Sequence, residues 1–417
     1  MGKLLVKNIG KLVTLQKLVE DKRHIRITAE DLSVLPDAWM AIEGGKIIAY
    51  ASGEPPSEYK DWEFVDADGR MVTPGLVDSH THPVFGGDRT HEFAARLTGK
   101  TYQDIAAAGG GIKYSITATR EAMSSDLLER CQDLFETFLK HGVTTVEAKT
   151  GYGQNAREEI RSLEVLQEAR HQSPQTISIT CLGLHDLPKD FASKTDYIRH
   201  ITDELLPVVA QRKLADWVDA FVERGYFEVD DVKPYFDKAK ELGLKIRMHA
   251  DEFQESGAAN AAAFYQAASA DHMQKASDEG IRALAESGGV AVMLPGTSFY
   301  TKIPYADAKR FRDQNCPVAI ASDFNPGSCY LSNLPFVASL AALYCGLSPY
   351  EAFVGVSWNG AKALQLESRK GALAVGYDAD FVIHRLRSIE QWIADFGQTH
   401  PSAVYCAGKL ADSVRYT

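Results

Sequence analysis

The sequence predicts an α/β protein, a (β/α)8 TIM-like barrel carrying a small β-sandwich domain formed by both chain termini. Three observations lead there. Eight apolar strand candidates alternate with helical patterns over about 250 residues, the size of such a barrel. Short strands and turns occur before residue 70 and again after residue 370. Ionisable residues gather at the carboxyl ends of several of the eight strands, where a barrel opens its mouth. The expected division is 1–72 plus 366–417 for the composite β domain and 73–365 for the barrel.

In the N-terminal part, Met40-Ala-Ile-Glu-Gly-Gly-Lys-Ile-Ile-Ala-Tyr50 joins two apolar runs across Gly44-Gly45, a hairpin signal. Gly371–Ile383 and Ser402–Lys409 match it in style at the other end, so the two ends are expected to pack together. Between them the strand candidates are Leu76–His80, Val143–Lys149, Ile177–Leu184, Trp217–Val222, Leu244–Ala250, Ser269–His272, Val290–Leu294 and Val318–Ser322. Leu127, Leu128, Cys131, Leu134, Phe135, Phe138 and Leu139 recur at helical spacing and stop near Gly142. A second helix is expected from Asp230 to Leu242, ending at Gly243. The long 83–120 connection, with Gly109-Gly-Gly-Ile-Lys113 in it, reads as a flexible stretch of the kind that is disordered or functional.

Composition narrows the function. The chain has 417 residues, 45% hydrophobic and 24% charged, as ordinary globular proteins do. Its net charge of −11 argues against nucleic acid or an anionic membrane as the main partner. No run of about 18 apolar residues suggests a spanning helix. The start, Met1-Gly-Lys-Leu-Leu-Val-Lys-Asn8, lacks an apolar export core. The six cysteines are scattered with no C-x-x-C, which suggests reduced thiols and a cytoplasmic location.

The chemistry centres on Leu76-Val-Asp-Ser-His80-Thr-His82-Pro83. Residues i and i+2 of a strand face the same side, so His80 and His82 can grip one ion together. An isolated histidine is more often a satisfied core residue. Here, however, the fifth strand ends in His249, with Glu252 three residues on, the sixth in Asp271-His272 and the eighth in Asp323. Buried strands seldom finish on ionisable groups unless something pairs with them. His80, His82, His249 and Asp323 therefore make a candidate site for one divalent metal ion per subunit, zinc first and iron second. The fourth strand carries no lysine that could be carboxylated to bridge a second ion.

Pro74-Gly-Leu-Val-Asp-Ser-His-Thr-His82, the His249 strand, His272 and Asp323 resemble the amidohydrolase superfamily. Within it the similarity narrows through Val146-Glu-Ala-Lys-Thr-Gly-Tyr152-Gly, Gly183-Leu-His185, His249-Ala-Asp-Glu252, Leu294-Pro-Gly-Thr and Ser322-Asp-Phe-Asn-Pro-Gly-Ser328. These runs resemble the branch acting on 4-imidazolone-5-propanoate, and the likeness spans almost the whole chain. Ala148 and Thr150 depart from the usual Val and Ser, and Asp186-Leu187 from smaller residues. The resemblance implies ring opening of that cyclic amide to N-formimidoyl-L-glutamate in histidine degradation. On that view the ion activates water, and His185 helps it stabilise the oxyanion. His272 is base or proton shuttle, Glu252 holds a ring N–H and protonates the leaving nitrogen, and Asp323 orients the water. Arg89 is the expected partner of the substrate's propionate. Tyr152 closes the pocket, and Asn325, Gly327 and Ser328 offer donors, though that run also has turn composition.

Two rivals share these residues. A heterocycle deaminase would use the same ligands but release ammonia. An inactive scaffold of the same fold would be expected to lack the ligands, and all are present. A homodimer is the expected assembly, as the commonest one for soluble enzymes.

Overall fold

The computed structural model describes residues 2–100 and 110–413. Eight parallel strands surround the centre: β1 (Leu76–Asp78), β2 (Val143–Lys149), β3 (Thr176–Leu184), β4 (Trp217–Val222), β5 (Lys245–Ile246 and Met248–Ala250), β6 (Ser269–His272), β7 (Val290–Met293) and β8 (Val318–Ile320). They pair in chain order from β1 to β8. The last gap, between β8 and β1, is bridged beyond the strands. Thr81 pairs with Phe324, the Asp323 amide donates to the His80 carbonyl at 3.0 Å, and the His82 amide donates to the Phe324 carbonyl at 2.8 Å.

The expected strands are all present, with two informative differences. β1 stops at Asp78, so His80 and His82 lie past its end, on either side of the bridging Thr81. β5 is interrupted at Arg247, whose backbone still bonds Val218 while its side chain is fully buried. The helices Ser124–Lys140 and Val229–Glu241 match the periodic patterns and bury their apolar stripes. The 83–120 connection is not structureless: it forms helices at Thr90–Leu97 and Ile112–Glu121. Residues 101–109 of that connection lie outside the described residues.

Both termini build one eight-stranded sheet. Its long first strand, Lys3–Val13, pairs with Val34–Glu43 on one side and with Glu63–Asp66 and Met71–Pro74 on the other. The C-terminal Phe381–Ile383 joins antiparallel to Met71–Pro74, just before the chain enters β1. Val34–Glu43 and Lys46–Ser52 form the hairpin across Gly44 and Gly45, whose φ of 61° and 80° explain why glycine stands at both turn positions. No helix among the described residues is long and apolar enough to cross a membrane.

This sheet buries a histidine that makes the fold acid-sensitive. His384 Nε2 lies 2.8 Å from Thr73 Oγ1, and burial lowers its pKa to about 3. In the unfolded chain it takes up a proton near pH 6.5, whereas the folded chain does so only near 3. Stability is therefore lost as pH falls through that window, by about 2 kcal/mol between pH 7 and 5 for this one group. Denaturant titrations of the parent and His384→Gln at both pH values should show a smaller acid loss in the variant; equal losses would refute it.

Candidate active site

The barrel mouth gathers the expected histidines. His80 and His82 are delivered by the segment beyond β1, held by Glu147 on β2, which accepts the Thr81 amide at 3.2 Å and, through its carbonyl, the Thr81 hydroxyl at 2.6 Å. His249 lies within β5, His272 closes β6 and Asp323 follows β8. His272 and Asp323 adopt φ of 77° and 52°, unusual for residues with a side chain. Backbone strain of this kind persists where the surroundings fix it, and it clusters at functional sites.

Three donor atoms converge closely. His82 Nε2 lies 3.3 Å from His80 Nε2, and Asp323 Oδ1 lies 3.4 and 3.5 Å from those two nitrogens. Ligands about 2.0–2.1 Å from a tetrahedral ion stand roughly 3.3–3.4 Å apart, so the spacing fits one cation. His249 and His272 each group with His80 within 4.8 Å, which adds two further nitrogens beside the first three. Thr297 donates to the other Asp323 oxygen at 2.5 Å and fixes the carboxylate.

Charged groups beneath the mouth set the histidine tautomers. His80 Nδ1 is 2.7 Å from Asp271 Oδ2, so it carries the proton and leaves Nε2 free to ligate. His249 Nδ1 is 2.9 Å from Asp219 Oδ2, off the line of a straight hydrogen bond. Asp219 and Asp271 in turn face Lys149 and Arg247. Burial lowers the pKa of His80, His82 and His272 well below the usual value, which keeps them neutral. Burial also raises Asp323 to about 6 and Glu252 well above its normal range. Taken as ions, Lys149, Arg247, Glu147, Asp219 and Asp271 leave one negative charge in excess, and Asp323 adds another. A divalent cation would neutralise that pair.

The remaining expected residues line a cavity of about 560 Å³ above the histidines. Its wall includes Arg89, Tyr152, His185, Glu252, Asn325 and Ser328, and Gly327 as well. Arg89 is not a free cation: it forks onto Glu92 at 2.8 and 3.0 Å, and Glu92 also accepts the Gly111 amide. A side chain at Gly327 would strike the Arg89 guanidinium, so the glycine lets Arg89 keep this position. The Asn325 side chain is largely spent on its own turn. Its oxygen accepts the Gly327 and Ser328 amides, and its nitrogen donates to the Asp323 carbonyl. Glu252 lies 3.7 Å from His272 Nδ1, close enough to interact but not hydrogen-bonded.

His185 differs from the sequence expectation in one respect. Its ring stacks on His82 with centroids 5.5 Å apart, and its Nδ1 is 3.1 Å from the Gly151 carbonyl. A carbonyl can only accept, so Nδ1 bears the proton, and burial holds the pKa near 3. The free Nε2 of this neutral ring is an acceptor, which suits a substrate N–H better than an oxyanion.

Sequence reasoning gave no role to Glu147, Lys149, Asp219, Arg247, Thr297 or Glu92, although Glu147, Lys149 and Thr297 lie in runs that carry the resemblance. The available signal was charge inside buried strands, such as Glu147 and Lys149 at strand spacing in β2. Lys149 also bears on the number of ions. A carboxylated Lys149 would put an anion among three carboxylates, so it gives no bridge to a second metal.

Residues 71–411 match the family model described as Amidohydrolase family. The chain is 40% identical to an imidazolonepropionase of Geobacillus kaustophilus (strain HTA426) over 98% of both chains. It is 37% identical to one of Alkaliphilus metalliredigens (strain QYMF), again over 98% of both. The chain belongs to the imidazolonepropionase branch of the amidohydrolase family. Solved structures give the same architecture at greater distance. A triazine hydrolase from Arthrobacter aurescens superposes with a TM-score of 0.75 at 17% identity, covering 98% of this chain and 94% of the other. An adenosine deaminase from Xanthomonas campestris, solved with bound zinc, gives 0.67 at 17% identity over 100% and 95%. At such identities the likeness concerns the fold alone. It accounts for the barrel and the terminal sheet together, and imidazolonepropionase kinship accounts for the sequence runs around His80, His249 and Asp323.

Proposed function

We propose that this imidazolonepropionase relative hydrolyses the cyclic amide of 4-imidazolone-5-propanoate to N-formimidoyl-L-glutamate, using one divalent ion. The observation that carries the reading is the convergence of His80, His82 and Asp323 donor atoms within 3.5 Å, under a cavity that also holds Arg89. His249 completes the ligand set in this reading, with zinc favoured by the nitrogen-rich donors and Fe(II) second. A bound ion supplies water acidified to near neutrality and polarises the carbonyl.

The chain's own groups then divide the work. His272, neutral and at the cavity floor, accepts the proton of the attacking water at its free ring nitrogen. Asp323 accepts a hydrogen bond from that water and holds it toward the carbonyl carbon. Glu252, kept protonated by burial, donates to the ring nitrogen as the C–N bond breaks. His185 Nε2 receives the other ring N–H, and Tyr152 closes the wall behind it. Arg89, Asn325, Gly327 and Ser328 form the end of the cavity that suits an anionic side chain. A cytoplasmic location agrees with six buried thiols, all free, and a homodimer with general precedent.

The deciding experiment feeds freshly generated substrate to the purified enzyme and identifies the product. Formiminoglutamate without ammonia is expected; stoichiometric ammonia would overturn the reading in favour of a deaminase. Arg89→Ala is expected to raise KM at least about tenfold, since a charge-assisted fork contributes about 1.5–3 kcal/mol. Metal content should not change. An unaltered KM would remove Arg89 from substrate binding.

A further inference from the structure

We propose that Lys149 is a positioning residue for the metal centre, its ammonium tying together the two carboxylates that orient His80 and His249. The inference rests on the metal reading above and adds a residue separated from the ion by two others, a carboxylate and a histidine. Lys149 ends β2 and is fully buried. Its Nζ lies 2.9 Å from Asp219 Oδ2, 2.9 Å from Glu147 Oε1 and 3.6 Å from Asp271 Oδ2. The same Asp219 oxygen faces His249 Nδ1 at 2.9 Å, and the same Asp271 oxygen faces His80 Nδ1 at 2.7 Å. One cation therefore touches, through one shared atom each, the partners of two candidate ligands that come from different strands.

An ammonium has three donors on a flexible stem, and here three carboxylates surround it. Glu147 completes the tie: besides Lys149 it holds the Thr81 amide between His80 and His82. Arg247 reaches the same Asp271 oxygen at 3.1 Å and fixes the Ser79 carbonyl at 2.7 Å. Removing the Lys149 ammonium would leave Asp219 with its orientation set by His249 alone. Groups bonded directly to a ligating histidine, as Asp219 and Asp271 would be, typically control metal affinity by 10–100-fold, and Lys149 holds both of them.

The sign of the effect separates positioning from charge. A lone positive charge near a divalent ion repels it, so deleting that charge should tighten binding. If Lys149 instead aligns the ligands, deleting it should weaken binding. The probe is Zn(II) alone, titrated against a chromophoric chelator with no substrate present, beside the visible absorption of the Co(II)-loaded protein. Lys149→Met is expected to bind Zn(II) 10–100-fold more weakly and to shift the Co(II) bands. The paired variant Lys149→Met with Glu147→Gln leaves the net buried charge unchanged and serves, measured against Glu147→Gln alone, if the single variant fails to fold; the same further loss is expected. Affinity within twofold of the parent, or tighter, would overturn the proposal. A parent chain that takes up no ion would overturn the metal reading and this role with it, whereas a tight parent beside an unchanged variant would overturn the role of Lys149 alone.

Discussion

Asp323→Ala is expected to lower turnover at least about 10⁴-fold and to leave the purified chain with under a tenth of an equivalent of metal. The magnitude follows from the nucleophile: a divalent ion takes the pKa of water from 15.7 to about 7, and losing it removes most hydroxide at neutral pH. Folding should not confound the result. Burial outweighs the hydrogen bond from Thr297 and the nearby positive charge and pushes Asp323 up to about 6, so in the metal-free chain an ionised carboxylate there is a burden rather than a support. The metal-free variant should therefore unfold at a temperature no lower than that of the metal-free parent. Zinc added after dialysis against a chelator should restore the parent and not the variant. Full activity in metal-depleted Asp323→Ala would end the case for a metal-dependent hydrolase.

His272→Ala is expected to cost 10²–10⁴-fold in kcat with metal content kept within about a factor of two, the loss typical of a general base. The structure makes this a sharp test, because His272 also groups with His80 and His249 within 4.8 Å. If the ion is lost along with activity, His272 is a ligand and the proton acceptor lies elsewhere. If kcat barely moves, His272 has no part in the chemistry. Its backbone φ of 77° suits glycine better than alanine. His272→Gly is thus a useful second variant, removing the ring without adding strain.

The barrel was legible because its strands are apolar, bounded and separated by helices with clear 3.6-residue periodicity. The Ser124–Lys140 helix buries every residue its pattern names except Leu128, which is half-buried. His80, His82, His249, His272 and Asp323 were legible as ionisable groups at strand ends, and the structure brings them to one mouth. The charged layer beneath them was not. Glu147, Lys149 and Asp219 lie within buried strands and Arg247 at the break in β5, and each is tolerable because of charged partners, most of them on other strands. The charges show in the sequence, but their pairings across strands do not. Nor do the left-handed turns at His272 and Asp323, which the surrounding packing imposes. The helices within 83–120 were masked by a glycine-rich run that resembles loop composition.

The joint between the first and last strands has a mechanical meaning. It is held by the Thr81–Phe324 bridge, by two amide bonds involving His80, His82 and Asp323, and by the Ser322 amide on the Asp78 carboxylate, instead of a full ladder. An ion gripped by side chains from both sides of that joint would act as a rivet through it. The part that does the chemistry would then also keep the cylinder shut, and the His82 and Asp323 amides should exchange with solvent sooner once the rivet is withdrawn.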